Sequence, residues 1–283
     1  MIMFCFGGRR GNLELQLPHI RRILEENPQV VYHLWNLAKD PADAEWIRSG
    51  LEGIRMPMGR FIVRNEFAGP NPWERFGDIY AEYANPIYMA HDFVKIDDDV
   101  VFIQTARFGE FLRSIAAMPD TIVSAKVINN GACTPTEGPL YRTWQREFPR
   151  MKLLDVHKHL SYASLSHGYF FDHWQMMLDQ ENFLIPTEDW LSINLIGYNW
   201  NLGTKINALL GTPSPRLIAG RSYRPSLHRV GDEGAVNMLP RAILQGFLAA
   251  HLYFGPQAKQ MTPGMIDGLR HQYGLIGKEY LSD

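Results

Sequence analysis

The first 127 residues alternate short β-branched or aromatic runs with amphipathic segments, and few architectures accept that alternation. Residues 1–6 (MIMFCF) are apolar and end at Gly7 and Gly8, which reads as a buried strand and a tight turn. Residues 12–26 carry Leu13, Leu17, Ile20 and Leu24 at mostly helical spacing, with Pro18 in an early turn or at a bend. Residues 30–35 and 60–64 read as strands, 41–50 as a helix capped by Asp40, and 72–83 as another helix. Residues 93–96 and 100–103 are apolar and extended, 106–117 helical, and 121–127 a further strand. Strand–helix alternation predicts an α/β fold of the Rossmann type, a mostly parallel sheet flanked by helices.

The second half is less regular. We read a Pro/Gly-rich loop near 135–139, a strand at 168–171, a helix at 188–196, a loop at 213–234 and a helical region from Leu239. The organisation expected is one α/β domain over residues 1–238 with a C-terminal helical extension over 239–283.

Composition excludes several classes. The 28 Lys and Arg against 30 Asp and Glu give a net charge of −2, so there is no broad cationic field for nucleic acid. Two cysteines, Cys5 and Cys133, make no disulfide framework, which fits a reducing compartment. The opening apolar run lacks the basic lead of a signal peptide, and no run approaches the ~20 residues of a membrane span. The expectation is a soluble, cytoplasmic protein, with an oligomer possible.

The acidic triplet Asp97-Asp98-Asp99 interrupts the apolar stretch FVKIDDDVVFI at 93–103. Adjacent carboxylates repel, so burying them calls for a cation. In an extended backbone, Asp97 and Asp99 face one way and Asp98 the other. Two hard oxygen ligands on one side suit Mn²⁺ or Mg²⁺ bridging to phosphate. The triplet also lies just beyond the carboxyl end of an expected strand, where open α/β sheets bind ligands. A solvated acidic turn is the competing reading.

This stretch resembles the metal-binding DxD segment of GT-A-fold glycosyltransferases. More loosely, the chain is similar over about residues 1–237 to glycosyltransferase-like proteins of actinobacteria and their phages. The opening FCFGGR (4–9) and the strand–helix order share in the resemblance. It implies a metal-dependent transferase that moves a sugar from a nucleotide-diphosphate sugar, a UDP-sugar first among them, to a hydroxyl of a glycan or protein acceptor, with inversion. It implies Asp99 as main metal ligand, Asp97 on the ribose or metal-bound water, and Asp98 in either role. Gly7, Gly8 and Arg9 would form part of the nucleotide site, unless they are a plain turn with a solvated Arg pair.

In Thr187-Glu188-Asp189-Trp190, the resemblance implies a general base, Asp189 before Glu188. The same residues also suit a helix start, and the two readings coexist. By the same resemblance His228 would be a third metal ligand, against a structural histidine; Arg229 could instead meet the diphosphate, and Asp232 and Glu233 are further acidic alternatives. His167 and Gly168 would lie where donor and acceptor meet, or in a surface turn. A histidine metal site of His157, His159 and His167 is rejected on spacing. Trp35, Trp73, Trp144, Trp174, Trp190 and Trp200 offer one stacking platform among mostly core residues. There is no Walker loop or GxGxxG fingerprint. Two alternatives remain: a metal-dependent nucleotidyltransferase and a catalytically inactive nucleotide- or carbohydrate-binding protein.

Overall fold

A computed structural model describes residues 1–49, 51, 54–69 and 71–282. Its strands are β1 (Ile2–Gly7), β2 (Val31–Asn36), β3 (Phe61–Arg64), β4 (Asp92–Asp97), β5 (Val100–Ile103), β6 (Ile122–Ile128), β7 (Leu184–Pro186), β8 (Leu195–Asn199), β9 (Leu217–Ile218), β10 (Arg221–Ser222) and β11 (Arg241–His251). The main sheet runs β3-β2-β1-β4-β8-β6-β11-β5, with β7 also paired to β11. The fold is mixed α/β, with helices flanking the sheet.

The expected first half is present. β1, β2, β3 and β4 pair in parallel, linked by helices that include Arg10–Glu26 and Phe76–Tyr83. The Arg10–Glu26 helix accommodates Pro18 and buries Leu13, Leu17, Ile20 and Leu24. Asp40 caps the helix Pro41–Arg48 by accepting from the N–H groups of Ala42 and Asp43. Gly50, the expected end of that helix, falls outside the described residues.

The sheet as a whole is mixed, which corrects the mostly parallel expectation. β8 runs antiparallel to both β4 and β6, and β5 and β7 run antiparallel to β11. The difference arises in the second half. Residues 188–196, expected as a helix, form a loop and the start of β8. Leu191, Ile193 and Leu195 alternate with Ser192 and Asn194, a period of two that the apolar density obscured. The expected strand at 168–171 is part of the helix Leu160–Leu178. Its aromatic run favours strands by propensity, but Tyr162, Ser166, Phe170 and Trp174 recur every four residues and are buried.

The region from Leu239 is not helical at its start. It opens with β11, buried along its whole length inside the sheet, and the helix Pro263–Ser282 comes later. Ala, Leu and Gln favour helices intrinsically, but burial on both faces suits an apolar strand. β11 keeps β6 on one side and exchanges partners on the other. It pairs β7 through Ala242–Leu244, then β5 through Ala249–His251, with a bulge between Leu244 and Leu248. Among the described residues, no helix is long and apolar enough to cross a membrane.

Gly197 in β8 shows how tightly the layers meet. A Cβ there would lie 2.1 Å from Ile115 Cδ1 and 2.6 Å from Ile115 Cγ1. Gly197→Ala is expected to destabilise the protein by about 1–3 kcal/mol, the usual cost of overpacking a core. Adding Ile115→Val, which removes Cδ1, should recover part of that loss. Urea unfolding of the two single variants and the double variant measures the coupling; simple additivity would contradict this packing account.

Candidate functional site at the carboxyl ends of the strands

The chain leaves β1 outward to β2 and β3, then returns to β4 on the other side of β1. That reversal of strand order creates a crevice beyond the carboxyl ends of β1 and β4, the usual ligand position in open α/β sheets. β4 ends at Asp97, and Asp98 and Asp99 form a turn into β5, which crosses to the far edge of the sheet. The triplet is therefore a bend and not the extended run expected.

The bend still separates the side chains. Asp97 and Asp99 line one cavity of about 340 Å³, whereas Asp98 lines a second of about 390 Å³. Arg9 and Phe76 belong to both walls. The first cavity also receives Lys95, Asn194, Asp232, Glu233, His251 and Phe254. The second is lined by Phe6, Gly8, Leu37, Lys39, Asp40 and Asp43.

Cations answer each carboxylate. The Gly8 N–H donates to Asp98 Oδ2 at 2.8 Å, and Arg9 Nε donates to Asp98 Oδ1 at 3.1 Å. Arg9 Nη2 binds Asp98 as well and reaches Asp99 Oδ2 at 2.8 Å. Buried Lys95 donates to Asp97 Oδ1 and, at 2.9 Å, to the Ile193 carbonyl. His251 Nε2, at the end of β11, lies 3.2 Å from Asp99 Oδ1. Burial alone would raise Asp99, but the charges of Arg9 and His251 outweigh it and hold that carboxyl well below the ordinary range. Gly7 permits this approach of β1 to β2: a Cβ there would fall 2.5 Å from Leu34 Cδ1.

The backbone of the bend is held from behind. Gln16, fully buried in the Arg10–Glu26 helix, donates from Nε2 to the carbonyls of Asp97 at 2.7 Å and Val100 at 2.9 Å. Its Oε1 accepts from the Tyr32 hydroxyl at 3.2 Å. On the other side, Asp97 N–H donates to the Asn194 carbonyl and Leu252 N–H to the Asp99 carbonyl, at 2.9 and 2.8 Å. Asn130 then fixes Asn194 by donating to its Oδ1 at 3.1 Å.

Among the described residues, no three His, Cys, Asp or Glu side chains converge to hold a metal ion by themselves. Asp99 and His251 both line the first cavity. Asp99 Oδ1 accepts no hydrogen bond despite the nearby imidazole, and His251 Nδ1 is buried without a hydrogen-bond partner. His251 was missed in the sequence because it sits in a stretch read as helix, far along the chain from the triplet.

Asp232 and Glu233, named only as further acidic alternatives, enter the first cavity from the start of the short helix Asp232–Asn237. Burial raises the Glu233 carboxyl above its usual value, more than Arg221 at 4.0 Å lowers it. The other expected site residues lie elsewhere. Glu188 and Asp189 are exposed in a loop and line neither cavity. His228 is exposed and bonds within its own turn to Arg224. His167 and Gly168 lie inside the Leu160–Leu178 helix. Both His167 ring nitrogens are engaged, by the Tyr273 hydroxyl at 2.7 Å and the Leu252 carbonyl at 2.8 Å. Burial pushes that histidine down to about 4, so it stays neutral. Trp35 is buried under Arg64 and Phe67, and Trp190 is covered by Arg221. The side chain of Trp73 falls outside those described. The rings at the first cavity are instead Phe76, Tyr253 and Phe254.

Compared with known proteins, the chain matches no family model and no curated protein. Gln16 supplies a direct check on the site's construction. Gln16→Leu keeps the volume but leaves two buried carbonyls and the Tyr32 hydroxyl without their partner. A loss of about 3 kcal/mol in chemical denaturation is expected, from ~1–3 kcal/mol per unsatisfied buried group. A loss below about 0.5 kcal/mol would remove Gln16 from this role.

Proposed function

We propose that the chain is a glycosyltransferase that moves a sugar from a nucleoside-diphosphate sugar to an acceptor hydroxyl, with a divalent metal ion at the triplet. The observation that carries this reading is the placement of Asp97 and Asp99 at one cavity and Asp98 at its neighbour, with Arg9 in the shared wall at the crevice between β1 and β4. Adjoining spaces of this size suit the two ends of a nucleotide sugar. The more apolar space, beside Phe6, Leu37 and Phe76, would take the nucleoside end, and the charged one the sugar.

Mn²⁺ or Mg²⁺ is the ion this reading calls for. Asp99 and His251 would hold it, with Asp97 beside them, and bound there it would supply charge stabilisation to the departing diphosphate. Arg9 and Lys95 add fixed positive charge at the same cavity.

The base in this reading is Glu233, with Asp232 next to it. Both carboxylates line the cavity, where Glu188 and Asp189 do not. The acceptor oxygen attacks the anomeric carbon and its proton passes to Glu233. The bond from that carbon to the diphosphate oxygen breaks, and the nucleoside diphosphate leaves with the bonding pair. Attack opposite to the leaving group inverts the anomeric centre.

Release of nucleoside diphosphate from a panel of nucleotide sugars tests the assignment. Mn²⁺-dependent release from one donor is expected, falling at least about 100-fold in Asp99→Ala. Pyrophosphate in its place would make the protein a nucleotidyltransferase, and no metal-dependent donor binding would end the glycosyltransferase reading.

The raised Glu233 predicts the pH profile. A base must be deprotonated, so activity falls as pH drops through its pKa. The acid limb of kcat/KM should then lie above 4.5, the ordinary glutamate value. Glu233→Gln should lower kcat by about 10²–10⁴-fold and erase that limb. An unchanged limb in Glu233→Gln would assign it to another group.

A further inference from the structure

Between the helix Trp200–Leu209 and the helix Asp232–Asn237, the chain makes an excursion over residues 212–230. Its two ends are zipped together. Gly211 N–H donates to the Val230 carbonyl and Val230 N–H to the Thr212 carbonyl, each at 2.9 Å, and Ser214 N–H donates to the His228 carbonyl at 3.1 Å. The tip is the β9–β10 hairpin, turned at Ala219 and Gly220 with φ of 43° and 81°. The excursion is thus a built loop with a closed root.

Its charge is one-sided. It contains Arg216, Arg221, Arg224 and Arg229 with His228, and neither Asp, Glu nor Lys. Arg216, Arg224 and Arg229 are exposed, and among the described residues they form no ion pair. Each is anchored through its backbone: Arg216 accepts from Tyr223 N–H beside the hairpin, Arg224 from His228 N–H, and Arg229 bridges Pro213 at the root. In a chain of net charge −2 this is a local concentration of positive charge.

Arg221 ties the loop to the catalytic cavity. Its guanidinium lies 3.9 Å over the Trp190 ring and 4.0 Å from Glu233, the base of the proposed reaction. It also meets His157 Nδ1 at 3.3 Å; burial and the Arg221 charge push His157 down to about 4, so that nitrogen is free to accept. The basic loop therefore borders the space where an acceptor hydroxyl would reach its base.

We propose that this excursion docks the acceptor, and that the acceptor is a phosphodiester-linked polyol or sugar polymer. The proposal rests on the glycosyl-transfer reading and names the substrate class for it. Arginine's planar fork pairs two-pronged with phosphate, and the loop uses arginine to the exclusion of lysine. A polymer with one negative charge per repeat supplies several partners for Arg216, Arg224 and Arg229 and carries free hydroxyls. Nucleic acid fits less well. The single aromatic ring of the loop, Tyr223, is half-buried against Trp190 and His228, leaving no row of rings on which bases could stack.

The test titrates the full chain with fluorescent poly(glycerol phosphate), beside neutral dextran and a single-stranded oligonucleotide, over a range of NaCl concentrations. Salt-sensitive binding of poly(glycerol phosphate), with none to dextran, is expected. The Arg216→Glu, Arg224→Glu, Arg229→Glu variant should bind about tenfold more weakly or worse, since three exposed charge pairs of modest individual strength are lost together. A second variant with Gln at the same positions guards against misfolding, with thermal unfolding checked for both. Equal binding by wild type and the folded variants, no binding by wild type, equal affinity for dextran or tighter binding of the oligonucleotide would each overturn the proposal. Donor binding by the wild type, measured separately with UDP-glucose and other nucleotide sugars, shows whether the underlying reading has failed instead.

Discussion

Three neighbouring carboxylates can sit at the edge of this core because their partners arrive from three different stretches of chain. Arg9 follows β1, Lys95 belongs to β4 and His251 ends β11. Each is brought by a separate stretch of chain, so the site exists only when the sheet is assembled. A buried charge without its partner costs several kcal/mol, which makes the triplet a strong constraint on strand order. Gln16 and the backbone of Asn194 and Leu252 then fix the bend itself. The same groups that make the bend tolerable give the cavity its polarity.

The first half of the fold was legible because its signals are local. Asp40 before Pro41, the apolar spacing of residues 13–24 and the β-branched runs each decide an element within a few residues. β8 and β11 were not legible for the opposite reason. Their identity depends on burial between strands distant in sequence, which overrides the helical preference of Ala, Leu and Gln in β11. The site divided along the same line. Asp97, Asp99 and Arg9 are contiguous with readable strands and line the cavity. His251 and Gln16 act through tertiary contacts that no motif announces. The carboxylate at 189 was implied by the resemblance alone, at an expected helix start; that helix is absent and the residue lies on the surface.

Function, in this reading, is divided between a rigid and an appended part. The donor end would rest on strand termini and on groups held by buried hydrogen bonds, as a site that must aim reacting atoms requires. The acceptor end would be a loop, one pinned at its root and at Arg221. Loops change more readily than the scaffold that carries them, so one donor site can meet different acceptors.

The position of β11 has a consequence for how the chain reaches its folded state. Among the described strands it is the last to be synthesised, yet it lies inside the sheet between β6 and the pair β5 and β7. Until it arrives, β6 has an unpaired side and β5 has no neighbour in the sheet. Such open edges bind other chains readily. The nascent chain must therefore extend past His251 before it can bury them.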